Sequence, residues 1–187
     1  MSELAFKGRK VLVTGASRGI GRAIAVAFAE AGANVALVYR SDQQAAQDAL
    51  AAMPGAGHCL IRADVSVPVE AEAAVTEGID RLGGLDVVVN NAGIFLDHPV
   101  AEIDFERWQH CWRATIDTNL IGPANVCYAA ARYMIDRRAG KIINVSSRGA
   151  FRGEPRGPAY GASKAGLNSM SQSLAVALAP HGIFVGV

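Results

Sequence analysis

The succession of strand, glycine-rich turn and helix over residues 11–31 limits the folds open to this chain more than any other stretch. Val11 to Thr14 is a short apolar run, and Gly21 to Ala31 carries helical periodicity, with Ile20, Ile24, Ala27, Phe28 and Ala31 on one face and Gly32 as its stop. Between them, Thr14-Gly15-Ala16-Ser17-Arg18-Gly19-Ile20-Gly21 spaces glycines at 15, 19 and 21. Gly15 suits the tight turn off the strand, Gly19 the approach of a pyrophosphate to the backbone, and Gly21 close packing of the helix. The helix start offers unpaired N–H groups and a positive dipole end to an anion. The spacing therefore predicts a dinucleotide-binding loop, with a purely structural turn as the alternative.

The rest of the chain repeats the same alternation. Strands are expected at Val35 to Tyr39, Cys59 to Arg62, Val87 to Asn90 and Lys141 to Val145. Helical patterns run over Gln43 to Met53, Val67 to Leu82, Phe105 to Arg137 with a break near Asn119 to Pro123, and Tyr160 to Ala179, closed by Pro180 and Gly182. Short apolar runs separated by helices predict a single α/β domain over residues 1–187, a Rossmann-like doubly wound parallel sheet. Ile183 to Val187 reads as a sixth strand, after which the sheet is expected to be truncated.

Charge and cysteine usage narrow the function classes. With 18 Lys+Arg against 17 Asp+Glu, no global field draws in nucleic acid or an anionic membrane. Cys59, Cys111 and Cys127 are widely spaced and odd in number, which fits neither a disulfide framework nor a zinc site, so no metal and a reducing cytoplasm are expected. No apolar run reaches the roughly 18 residues of a membrane span, so a soluble protein is predicted.

Two groups of side chains carry chemistry. At the end of the second strand, Tyr39-Arg40-Ser41 stands where an acid would bind the ribose hydroxyls of NAD; with Arg18 in the glycine loop, two guanidinium groups converge on a 2′-phosphate. This predicts NADP(H) over NAD(H), the alternative being two solvated arginines with slight selectivity. Further on, Tyr160 and Lys164 are four residues apart and share one face of a helix, where an ammonium favours the phenolate of its neighbour. A Tyr-x-x-x-Lys pair by itself is equally a snorkelling lysine beside a half-buried aromatic. Ser147, thirteen residues before Tyr160, adds a hydroxyl that binds a carbonyl oxygen, although Ser146 is the competing candidate.

The glycine loop, Asn90-Asn91-Ala92-Gly93, Asn119, Ser147, Tyr160 and Lys164, in this order, resemble the short-chain dehydrogenase/reductase family, the branch with a Thr-Gly-x-x-x-Gly-x-Gly loop. The resemblance covers essentially the whole chain and is similar to 3-oxoacyl-[acyl-carrier-protein] reductases and to sugar or polyol dehydrogenases. It implies that Tyr160 is the general acid in ketone reduction and the base in alcohol oxidation, and that Lys164 lowers its pKa and holds the nicotinamide ribose. Ser147 would hydrogen-bond the substrate oxygen, and Asn119 would hold a relay water or act as a helix-breaking cap. Gly15, Ser17, Arg18, Gly19, Ile20, Gly21, Arg40, Tyr160 and Lys164 would contact the cofactor, Asp64 the adenine, and Asn90 with Gly93 the adenosine side. Asn91 would help to secure the central strands. The family continues past the sixth strand into a Pro-Gly turn, a mobile substrate-covering segment and a seventh strand, which these 187 residues lack.

The partners implied are a small carbonyl or alcohol substrate and other copies of the chain, a homotetramer by resemblance. Arg148, Arg152 and Arg156, between Ser147 and Tyr160, suit an anionic or carrier-linked substrate, with a solvated loop as the plainer reading. Two other classes are a non-catalytic NADP(H) sensor or inactive fragment, and an interaction protein whose alanine-rich helices serve assembly.

Overall fold

The computed structural model describes residues 5–187. Six strands, β1 (Lys10–Thr14), β2 (Asn34–Tyr39), β3 (Cys59–Arg62), β4 (Val87–Asn90), β5 (Gly140–Asn144) and β6 (Ile183–Gly186), form one sheet in the order β3-β2-β1-β4-β5-β6. Every pairing is parallel. Helices α1 (Gly19–Glu30), α2 (Gln43–Ala51), α3 (Pro68–Leu82), α4 (Phe105–Ile116), α5 (Gly122–Arg137) and α6 (Pro158–Leu178) connect them.

Both faces of the sheet are covered, which explains why the central strands read as unbroken apolar runs. Val11, Val13, Val35, Leu37, Val87 and Val89 face one layer, with Ala25 and Ala29 of α1 and Ala49 of α2. Leu12, Ala36, Val38, Val88 and Ile142 face the other, with Val75 of α3 and Val126 and Met134 of α5. Full burial of each large side chain, such as Leu12 or Leu37, stabilises the fold by about 1.5–3 kcal/mol.

Two differences from the pattern read in the sequence bear on the site. Helix α6 begins at Pro158, two residues early, because proline at a helix start forfeits no hydrogen bond and is preset for helical φ. Tyr160 therefore stands in the first turn. The expected break near Asn119 to Pro123 is a π turn, Asp117–Ile121, that carries α4 into α5 without interruption. Pro123 has no N–H to give to the carbonyl of Asn119 four residues back, so a regular α-helical ladder cannot pass this point.

Because the chain works outward from β1 to β3 and then returns to β4, the connections leaving β1 and β4 diverge at the carboxyl edge. That reversal opens a crevice, the usual ligand position in an open α/β sheet.

Candidate active site

The crevice is a groove of about 620 Å³ whose wall includes Gly15, Ser17, Arg18, Gly19, Ile20 and Gly21. Gly15 adopts φ +65°, and a Cβ there would stand 2.8 Å from Ala92 Cα. A Cβ on Gly21 would overlap the carbonyl oxygen of Gly15 and Nδ2 of Asn91. A Cβ on Gly19, by contrast, meets open space, so the backbone there is accessible to a ligand at the start of α1. Asn91 donates from Nδ2 to the carbonyls of Thr14 (3.0 Å) and Gly15 (3.1 Å), while Thr14 Oγ1 accepts the N–H groups of Asn91 and Ala92 at 3.1 Å each. These bonds pin the loops after β1 and β4 to each other; the sequence showed Thr14 in the glycine motif but not this role.

Arg18, Arg40 and Ser41 also line the groove. Arg40 lies 3.9 Å from Asp64 and is 58% exposed, so this pairing is weak and leaves the guanidinium free to meet a ligand. Asp64 also lines the groove and accepts from the N–H (3.0 Å) and Oγ (2.6 Å) of Ser66. An acid does lie just beyond β2: Asp42 borders the groove, but its carboxylate caps α2 by accepting from Ala45 N–H at 3.0 Å.

The two residues expected on the adenosine side have different surroundings. Asn90 is buried and faces the opposite layer, where it donates to Asn144 Oδ1 (2.9 Å) and Cys127 Sγ (3.3 Å), because consecutive residues leaving a strand point to opposite faces. Gly93 does line the groove, but next to other groups: a Cβ there would be 3.4 Å from Asn119 Oδ1 and 3.7 Å from Lys164 Nζ.

Asn119 is fully buried in the π turn. Its amide clamps the backbone of Ile94, accepting the N–H at 2.8 Å and donating to the carbonyl at 2.9 Å, with a further bond to Ser163 Oγ at 3.2 Å. It caps no helix, and its side chain is occupied by protein partners. Ser163 in turn donates to the Tyr160 carbonyl at 2.7 Å.

Lys164 is buried and donates to the Val145 carbonyl at 2.8 Å, with Nζ 5.9 Å from the centroid of the Tyr160 ring. Loss of water around the ammonium pushes the Lys164 pKa down. Tyr160 is partly buried, its ring edge-on to Phe95 with centroids 5.2 Å apart. Ser147 Oγ accepts from Gly149 N–H at 3.1 Å, which leaves its own O–H available to another acceptor. It borders a second cavity of about 540 Å³ with Phe151, Gln172 and Val185. Ser146 borders it too, with its Oγ buried and unpaired. Arg156 is committed to Asp97 and Glu102 and so is not a free cation at this mouth.

A buried ammonium beside a phenol, a free serine hydroxyl and a nucleotide-sized crevice together suit proton exchange coupled to a diffusible redox carrier. Comparison with known proteins agrees. A family model described as short chain dehydrogenase matches residues 9–187. The chain is 39% identical over 179 residues to the 3-oxoacyl-[acyl-carrier-protein] reductase FabG of Staphylococcus aureus, covering 95% of this chain and 71% of that protein. It is 38% identical over 182 residues to 3beta-hydroxysteroid dehydrogenase 1 of Eggerthella lenta, covering 96% and 68%. A short chain dehydrogenase from Burkholderia cenocepacia, solved in complex with NADP, superposes with a TM-score of 0.86 at 36% identity, over 98% of this chain and 73% of that one. The chain belongs to the short-chain dehydrogenase family of NAD(P)-dependent oxidoreductases.

Proposed function

We propose that this protein interconverts a ketone and a secondary alcohol with NADP(H), using Tyr160 as the general acid and base. The observation that carries the reading is the Tyr160–Lys164 pair in successive turns of α6, its ammonium buried, bonded to Val145 and bordering the groove at Gly93. NADP(H) supplies the hydride in reduction and accepts it in oxidation. In reduction the Tyr160 hydroxyl gives its proton to the substrate oxygen, and Ser147 donates a hydrogen bond to that oxygen as charge develops on it. Lys164 favours the phenolate left behind and holds the nicotinamide ribose. Asn119 supports the site by fixing Ile94, and a relay water would rest on its backbone carbonyl, which Pro123 cannot serve.

The pyrophosphate fits the open backbone at Gly19, flanked by Ser17, Ile20 and Gly21, with Gly15 making the bend. Asp64 suits the adenine amino group, and Arg18 with Arg40 the 2′-phosphate. Replacing both arginines with Ala is expected to raise the Kd for NADPH about 10- to 100-fold for each guanidinium removed, or about 1–3 kcal/mol apiece, and to leave the Kd for NADH nearly unchanged. Fluorescence titration with both nucleotides checks this; equal affinities in the parent protein would reject the NADP(H) preference.

The choice of substrate class is supported by relatives among which 3-oxoacyl reductases recur. We assign a 3-oxo ester or thioester as the first choice. Loss of NADPH absorbance with ethyl acetoacetate, a 3-oxoacyl thioester and a cyclic ketone tests it, and NADPH binding without turnover of any carbonyl compound would instead leave a sensor. A cytoplasmic homotetramer is part of the proposal, consistent with three free cysteines and with exposed Phe105 and Tyr128 on α4 and α5. No described helix is long and apolar enough to cross a membrane. Native mass measurement addresses the assembly.

A further inference from the structure

The segment that follows β4 folds back onto the first turn of α6 and grips it at three points. Phe95 lies edge-on to Tyr160 and also fills the space beside Gly157, where a Cβ would be 2.6 Å from its ring. Asp97 binds Arg156 through both carboxylate oxygens, with Nε to Oδ1 at 2.7 Å, and the backbone N–H of His98 donates to the Arg156 carbonyl at 2.8 Å. The third point is the His98 ring, which is 0% exposed and packs against Trp108 with centroids 5.7 Å apart. Its Nδ1 lies 2.7 Å from the Leu96 carbonyl and its Nε2 3.1 Å from the backbone nitrogen of Ala159.

These partners fix the tautomer. The Leu96 carbonyl can only accept and the Ala159 N–H can only donate, so the proton sits on Nδ1 and Nε2 is a bare acceptor. Ala159 is the second residue of α6, one of those whose N–H has no acceptor within the helix. Gly157, at the position where a Ser or Asp side chain would normally cap, offers none. His98 provides that cap from 61 residues away, on the residue immediately before Tyr160.

The rest of α6 is anchored independently. Lys164 bonds to Val145, and Ser171 accepts from Asn144 Nδ2 at 2.8 Å. Losing the bond at Ala159 therefore removes one of the three grips, so that the first turn can shift while the body of the helix stays docked.

We propose that His98 is a positioning residue for the reaction: by holding the Ala159 N–H it sets where the Tyr160 hydroxyl stands relative to the substrate oxygen. This rests on the reading of Tyr160 as acid and base. The general physics favours a large effect on rate and a small one on binding, since a misplacement of about 1 Å in a reacting group costs up to about 100-fold.

A pair of substitutions separates the two ring nitrogens. His98→Asn keeps a donor near the Nδ1 position, for Leu96, but cannot reach Ala159; His98→Gln carries an oxygen that can. With NADPH and ethyl acetoacetate, or the panel compound turned over fastest, His98→Asn is expected to lower kcat about 10- to 100-fold. The Kd for NADPH should stay within about twofold and the solvent deuterium isotope effect on kcat should rise, both as expected when only proton delivery is impaired. His98→Gln is expected to recover most of the parent rate. Parent-like kcat in His98→Asn would overturn the proposal. So would a loss of rate in both variants in step with NADPH affinity and thermal midpoint, failure to fold included, because His98 would then be structural only. Tyr160→Phe belongs in the same series: if it keeps the parent rate, the reading of Tyr160 itself fails, whereas its collapse beside two parent-like His98 variants removes only the role of His98.

Discussion

Tyr160→Phe is expected to lower the kcat for NADPH-dependent carbonyl reduction by about 10²- to 10⁴-fold, the usual contribution of a positioned general acid, or about 3–5 kcal/mol in the barrier. The substitution removes one oxygen and keeps the ring that packs edge-on to Phe95. No described residue hydrogen-bonds the Tyr160 hydroxyl, so its loss leaves no partner stranded. Stability and NADPH affinity should therefore stay close to the parent while the chemical step collapses. Lys164 remains bonded to Val145 in the variant, which keeps its ammonium in the position from which we propose it holds the nicotinamide ribose. Initial rates of NADPH absorbance loss, a thermal melt and a fluorescence titration of NADPH make the comparison. A variant that turns over at the parent rate would sink the proton-transfer mechanism; one that loses rate, affinity and thermal midpoint together would show that the ring, not the hydroxyl, had been disturbed.

The fold was legible in the sequence because its signals are local. β1, β2 and β4 each bury both faces and so read as apolar runs, and the glycine spacing is dictated by contacts within one strand–turn–helix unit. The convergence of Tyr160 and Lys164 was likewise a matter of helical spacing. What the sequence could not display were partners chosen by the tertiary fold. Arg156 read either as a solvated loop residue or as a cation at a substrate entrance, yet its carboxylate partners Asp97 and Glu102 lie 59 and 54 residues away. Asn90 and Asn91 are adjacent letters with opposite fates, one in a buried network with Cys127 and Asn144 and one latching the glycine loop. Asn119 was visible as a helix irregularity, but the π turn that aims it at Ile94 depends on a missing N–H at Pro123 and on packing against the segment after β4.

Gly21→Ala is expected to weaken the fold and, through it, cofactor binding. The added methyl would collide with the Gly15 carbonyl oxygen and with Asn91 Nδ2, the atoms that join the glycine loop to the β4 loop. Relief requires α1 to back away from the sheet or Asn91 to release the Thr14 and Gly15 carbonyls. Overpacking costs about 1–3 kcal/mol and a stranded buried carbonyl a similar amount; because relief of one lessens the other, about 2–4 kcal/mol is expected in all. At about 2–4 °C per kcal/mol for a chain of this size, the thermal midpoint should fall by about 5–15 °C. Gly19→Ala is the informative counterpart. Gly19 has φ +57°, so a side chain there carries a left-handed penalty of about 1–2 kcal/mol, but its methyl meets no protein atom. Its methyl enters the space proposed for the pyrophosphate, so NADPH affinity should fall by more than its loss of stability accounts for. If Gly21→Ala melts like the parent, the loop and helix have slack that the packing geometry denies. If Gly19→Ala binds NADPH like the parent, the anion does not sit over this turn, and the glycines serve the bend alone.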